Sequence, residues 1–187
     1  MNNKQLLQVA VAMFVAVGLM GCASQMEIAP SVTKLEKYDY TQGVNAYNDR
    51  HFDRALDIWV EVANEGDVDA INALGMMYQS GRGVSRDVGA AARLYKKAAN
   101  AGLASAQNNL AVLYEGGEGV PQDMVRAVEL YRRAAAQGYT WAQYNLGRLH
   151  ASGLGVEKSA TIASDFFIQA DESRELGKEM AVIEPDR

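Results

Sequence analysis

His51 and His150 are the only imidazoles in the chain, and Cys22 is the only thiol. A catalytic zinc takes three protein ligands, drawn mainly from histidine, cysteine and carboxylates. Neither histidine has a second histidine or a cysteine near it in sequence, so no metal and no cofactor are expected. Acids are more numerous. Glu115 with Glu118, and Asp67 with Asp69, are close enough to share general acid–base work. All four fall at helix ends and turns, where solvated carboxylates are ordinary, and Asp67 and Asp69 sit where a helix N-terminus favours negative charge. The paired glycines Gly81/Gly83, Gly117/Gly119 and Gly153/Gly155 superficially resemble a phosphate cradle. No strand precedes them and no Lys-Ser/Thr pair follows, so the nucleotide-binding spacing is missing. No Gly-x-Ser-x-Gly nucleophile motif occurs either. Catalysis is not expected.

The elements that carry these residues are ordinary in composition. The 187 residues are 49% hydrophobic and 22% charged. A domain of roughly 150 residues buries about 70% of its unfolded surface, so a core can form without metal. One cysteine excludes an internal disulfide. Net charge is −5, from 18 basic and 23 acidic residues. That balance argues against nucleic acid, which needs a basic footprint to displace counterions.

From Leu74 onward the chain repeats itself at a fixed spacing. Leu74, Leu110 and Leu146 are each 36 positions apart, as are Gly81, Gly117 and Gly153, and Val84, Val120 and Val156. Ala91, Ala127 and Ala163 follow the same step, then Tyr95, Tyr131 and Phe167, then Ala98, Ala134 and Ala170. A fixed period in the range of about 20–50 residues means stacked structural repeats. Within each unit Ala70, Leu74, Met77 and Tyr78 fall on one face of a first helix. The glycine pair reverses the chain. Asp87, Asp123 and Ser159 stand where a second helix needs its N-cap. Ala91, Leu94, Tyr95, Ala98 and Ala99 make the second helix's apolar stripe, and Gly102 and Gly138 stop it.

The run from Leu74-Gly75 through Gly102 resembles the Sel-one-like repeat (SLR), a relative of the tetratricopeptide repeat (TPR), and Leu110 through Gly138 resembles it again. A third copy starts at Leu146-Gly147 and decays after its GLGV segment, with Ser159 for Asp and Asp171 for Ala. Such decay suits a terminal repeat, which must present a polar outer face. Gly43, Tyr47, Phe52, Ala55 and Trp59 match plain TPR spacing with a shorter loop. The resemblance spans about residues 40–174 and implies an all-α, right-handed α-solenoid of antiparallel helix pairs. The units expected are a helix pair at 39–66, repeats at 67–102 and 103–138, a degenerate repeat with cap at 139–176, and an acidic tail at 177–187. Fraying is expected beyond about Met180.

The N-terminus reads as an address. Lys4 is followed by an uncharged, amide-free run from Val9 to Met20, short for a spanning helix and typical of a secretory leader. The run ends in Leu19-Met20-Gly21-Cys22, which is similar to the lipobox of bacterial lipoproteins. That resemblance implies a leader at 1–21, acylation of the Cys22 thiol, cleavage before it, and a lipidated tether at 22–38. Ala23, where an inner-membrane retention signal would be Asp, implies the outer membrane and its periplasmic face.

With core positions assigned, the TPR resemblance leaves a concave face on the first helices. Its ladders are Asn72, Asn108 and Tyr144; Met76, Val112 and Arg148; and Gln79, Glu115 and Ala151. Asp69, Ser105 and Trp141 lie one turn earlier. The amides of Asn72 and Asn108 are expected to hold an extended peptide, and Trp141, Tyr144 and Arg148 to form an aromatic and cationic hot spot. The leading expectation is a lipid-anchored adaptor for a protein or peptide. The second is an envelope glycan binder, for peptidoglycan or an exported polysaccharide. An enzyme of hydrolase type, which the resemblance to cysteine-rich SLR relatives described as binding β-lactams would imply, transfers poorly, because those carry disulfides in every repeat and this chain has one cysteine.

Overall fold

A computed structural model describes residues 37–175. The leader, Cys22, most of the tether and the acidic tail lie outside these residues. Eight helices and no strands are found among the described residues: α1 Tyr40–Asn48, α2 Phe52–Asn64, α3 Val68–Ser80, α4 Val88–Asn100, α5 Ala104–Gly116, α6 Met124–Ala135, α7 Thr140–Ser152 and α8 Ala160–Glu175. Their main contacts run between helices consecutive in sequence, as a solenoid of helix pairs requires. None of the helices is long and apolar enough to cross a membrane.

The helix ends follow from local chemistry. Asp67, Asp87 and Asp123 each accept a hydrogen bond from the backbone N–H three residues on, at 2.8, 2.8 and 3.0 Å. Ser159 does the same for Ile162 at 3.3 Å. At the other end of the second helices, Gly66, Gly102 and Gly138 take φ of 98°, 99° and 79°. The two backbone bonds of a Schellman motif follow, for example Leu103 N–H to Ala98 O and Gly102 N–H to Ala99 O.

One packing theme recurs. Trp59, Tyr95 and Phe167 project from the second helices onto Gly43, Gly75 and Gly147 of the paired first helices, and Tyr131 stands at the same 36-residue step. A Cβ added at Gly75 would stand 2.6 Å from the Tyr95 ring, and one at Gly147 would stand 2.6 Å from Phe167. The first glycine of the repeat is therefore the seat of an aromatic ring. Trp59, Tyr95 and Tyr131 are wholly buried. Burying a side chain of this size contributes on the order of 2–3 kcal/mol per repeat. Ala55, Ala91, Ala127 and Ala163, and Ala98, Ala134 and Ala170, are buried to 3% exposure or less and let the helices approach.

The GxGV loops also pack between repeats. A Cβ on Gly83 would meet Phe52 backbone at 2.8 Å, and one on Gly119 would meet Val88 backbone at 2.6 Å. Phe52 and Val88 are the first residues of α2 and α4, so each loop seats on the start of the preceding second helix. Gly155 takes the same place against Met124 of α6. The three loops are thus separate joints, one per unit, and do not converge on a common pocket.

Candidate functional site: the first-helix face

Three residues make the best-defined polar cluster at the first-helix face, Glu115 of α5, Arg148 of α7 and Tyr131 reaching in from α6. The Arg148 guanidinium donates to both Glu115 carboxylate oxygens at 2.6 and 2.7 Å, and the Tyr131 hydroxyl donates to Glu115 Oε2 at 2.9 Å. The pair is partly buried and ties α5 to α7 across the repeat boundary. Burial, then the neighbouring Glu115 carboxylate, pushes the Tyr131 phenol far above its ordinary value, with Arg148 opposing. One unit earlier the Tyr95 hydroxyl donates to Gln79 Oε1 at 2.7 Å. One unit later Phe167 and Ala151 have lost hydroxyl and acceptor together. Gln79 and Glu115 therefore hold the ring of their own repeat, and Glu115 also holds the next unit.

The expectation for Asn72 and Asn108 is corrected. Both are buried, at 2% and 7% exposure. Asn109 Nδ2 donates to Asn72 Oδ1 at 3.2 Å, and Asn145 Nδ2 donates to Asn108 Oδ1 at 3.1 Å. Asn72 Nδ2 reaches Ser105 Oγ at 3.4 Å. These amides form a ladder between repeats and present nothing to an extended peptide. Met76 is buried too, at 9%, so its place on the binding ladder is also corrected. For Asn72→Ala we expect a loss of about 1–3 kcal/mol in urea unfolding, because the half-buried Asn109 amide loses its acceptor and the buried Asn72 side chain leaves a gap. An unchanged midpoint would remove the ladder from the account.

Other predicted residues fall as follows. Val112 and Tyr144 are exposed at 41% and 46%. Tyr144 lies 5.5 Å from the Phe167 ring, on the register that Asn72 and Asn108 use to meet the next unit. Trp141 and Arg148 are half-buried. His150 is buried at 7%, with Nδ1 3.0 Å from Glu157 O and its ring stacked at 5.9 Å on Phe166, which makes it packing. His51 is exposed before α2.

The acid pairs do not assemble chemistry. Glu118 meets Arg86 at 3.5 Å while Glu115 is engaged as above, and Asp67 is spent on its cap. Burial, then Asp67, raises Asp69 above the usual carboxylate range. An open cleft of about 580 Å³ beside Asp67 is lined by Tyr38, Tyr40, Val62 and Glu65. Burial, then Asp69 and Asp67, pushes Tyr40 there up to about 12. No group of three His, Cys, Asp or Glu is placed to hold a metal among the described residues.

The same repeat geometry is found elsewhere. Residues 68–103, 104–139 and 142–170 each match the family model of the Sel1 repeat. The chain belongs to the Sel1 repeat family. Among solved Sel1 structures, the Sel1 repeat protein of Oxalobacter formigenes is 33% identical with a TM-score of 0.68, over 72% of this chain and 55% of that one. The protective antigen c5321, present in uropathogenic Escherichia coli strains and displaying an SLR fold, is 31% identical with a TM-score of 0.67, over 75% of this chain and 32% of that one. The chain thus spans about half the length of the first relative and a third of the second. No curated protein matches it. The Sel1 repeat is a non-catalytic scaffold fold, and its proteins typically mediate protein–protein interaction.

Proposed function

We propose that this Sel1 protein is a lipid-anchored periplasmic adaptor that docks a protein or peptide on its first-helix face. The leader ending in Leu19-Met20-Gly21-Cys22 supports the anchor. The observation that carries the docking face is the exposure of Val112 and Tyr144. They are the large apolar side chains left open on α1, α3, α5 and α7, and Glu115 and Arg148 lie on the same helices beside them. An aromatic and an aliphatic anchor beside a fixed ion pair is the composition of a binding hot spot.

A photoreactive residue at 112 or 144 in intact cells should capture one partner, and the same group at the exposed Val125 of α6 should not. Equal capture from all three positions would sink the reading. Tyr144→Ala should weaken the captured complex about tenfold or more, since truncating a hot-spot aromatic costs on the order of 2 kcal/mol. A glycan partner is the second reading, favoured by one feature: the Tyr144 ring, exposed and backed by Phe167, is a platform on which a sugar ring can stack. Co-sedimentation with purified sacculi separates the two, and a soluble fraction unchanged by sacculi removes the glycan.

A further inference from the structure

The face opposite the proposed docking site has its own pattern. Position by position, the second helices place Val60, Lys96, Arg132 and Ile168 at successive 36-residue steps, so the four form one row across α2, α4, α6 and α8. All four are exposed, the two aliphatics at 43% and 54%. Lys97 and Arg133 stand beside Lys96 and Arg132, also exposed. The Arg133 guanidinium reaches back to Ala99 O at 3.4 Å, which holds α6 against α4. No carboxylate among the described residues pairs with any of the four cations.

Helix-end electrostatics does not require this patch. Cations near a C-terminus are favourable, yet α2 and α8 place Val60 with Glu61 and Ile168 with Gln169 at the same positions. Nor does the patch form a groove that would select a peptide: it lies on the outward sides of adjacent helices. Four exposed cations, none paired with a carboxylate, between two exposed branched aliphatics on a protein of net charge −5 match a surface that meets a plane of phosphates and lets apolar side chains enter the headgroup layer. We propose that the second-helix face docks on an anionic lipid bilayer, with Lys96, Lys97, Arg132 and Arg133 on the phosphates and Val60 and Ile168 in the interface. The first-helix face then points away from the membrane. This inference stands whether or not Cys22 is acylated.

The test uses the full chain on phosphatidylcholine vesicles with and without phosphatidylglycerol. A short pulse of amine-acylating reagent is read lysine by lysine. Phosphatidylglycerol should slow modification of Lys96 and Lys97 and leave Lys158, in the loop before α8, unchanged. Equal rates on both vesicles overturn the proposal, as does equal protection by soluble polyglutamate, which would make the partner an acidic polypeptide. Lys96→Gln with Arg132→Gln should lower the phosphatidylglycerol-dependent part of vesicle binding about 25-fold, each cation near the surface being worth about a factor of five. Arg86→Gln with Lys158→Gln removes the same charge from two loops and should leave that part unchanged; an equal loss there would reduce the effect to net charge and overturn the assignment to this face.

Discussion

Gly119→Ala should lower the unfolding free energy by about 3 kcal/mol or more, and the melting temperature by about 10 °C. Two costs combine. Gly119 sits at φ 67°, where a side chain costs about 1–2 kcal/mol. Its added Cβ would also stand 2.6 Å from the carbonyl carbon and oxygen of Val88 and 2.8 Å from Gly89 N. Those are main-chain atoms at the start of α4, so relief means opening the joint between two repeats. Gly117 separates the costs. It shares the left-handed conformation at φ 71°, but its Cβ would meet the Gln122 side chain at 3.2 Å in an exposed loop. Gly117→Ala should therefore cost only about 1–2 kcal/mol. Calorimetry on the two variants decides, and equal losses would remove the inter-repeat joint from the explanation.

Above pH 10 the protein should lose stability steeply, at about 3 kcal/mol per pH unit from Tyr95 and Tyr131 together. Burial raises both phenols well above their usual value, helped at Tyr95 by Tyr139 and Tyr47 and at Tyr131 by Glu115. In the unfolded chain they ionise near pH 10. The unfolded state then binds fewer protons than the folded one, so stability falls as pH rises. The contribution is complete below pH 10. For the less buried Tyr40, pushed up to about 12, it is lost between pH 10 and 12, while Tyr95 and Tyr131 carry the loss further. Tyr95→Phe with Gln79→Ala reproduces the natural Phe167 and Ala151 pair. It should be within about 1 kcal/mol of the parent at pH 7, and its slope above pH 10 should be shallower by about 1.4 kcal/mol per unit. Urea titrations at pH 7, 10 and 11 would show this, and parallel slopes would count against buried phenols as the cause.

The fold was legible because its determinants recur in phase. Alanine at 91, 127 and 163, the ring at 95, 131 and 167, and the caps at 87, 123 and 159 each serve one unit, so the same step exposes them all. The binding face was harder to read. Asn72 and Asn109 are 37 apart and pair across a boundary, so the amide ladder is out of phase with the repeat and looks like two free asparagines. Glu115 and Arg148 are 33 apart for the same reason. A comparison of equivalent positions cannot show which neighbour fills the space between units. The exposed cationic row of Lys96 and Arg132 was not singled out in the sequence, because it gains meaning only when α4 and α6 stand side by side.

Because every joint is made with the adjacent unit alone, the molecule behaves as a tiling, and its length is open to recombination. Excising residues 103–138 would splice Gly102 to Tyr139, bring Asn145 opposite Asn72, and seat the Gly155 loop on Val88, each substitution replacing one partner by its copy. The last described tile is different: Ser164 and Asp171 stand where earlier units have Ala92 or Val128 and Ala99 or Ala135. Crossovers between misaligned copies would thus vary the number of tiles while the polar positions of α8 are inherited intact.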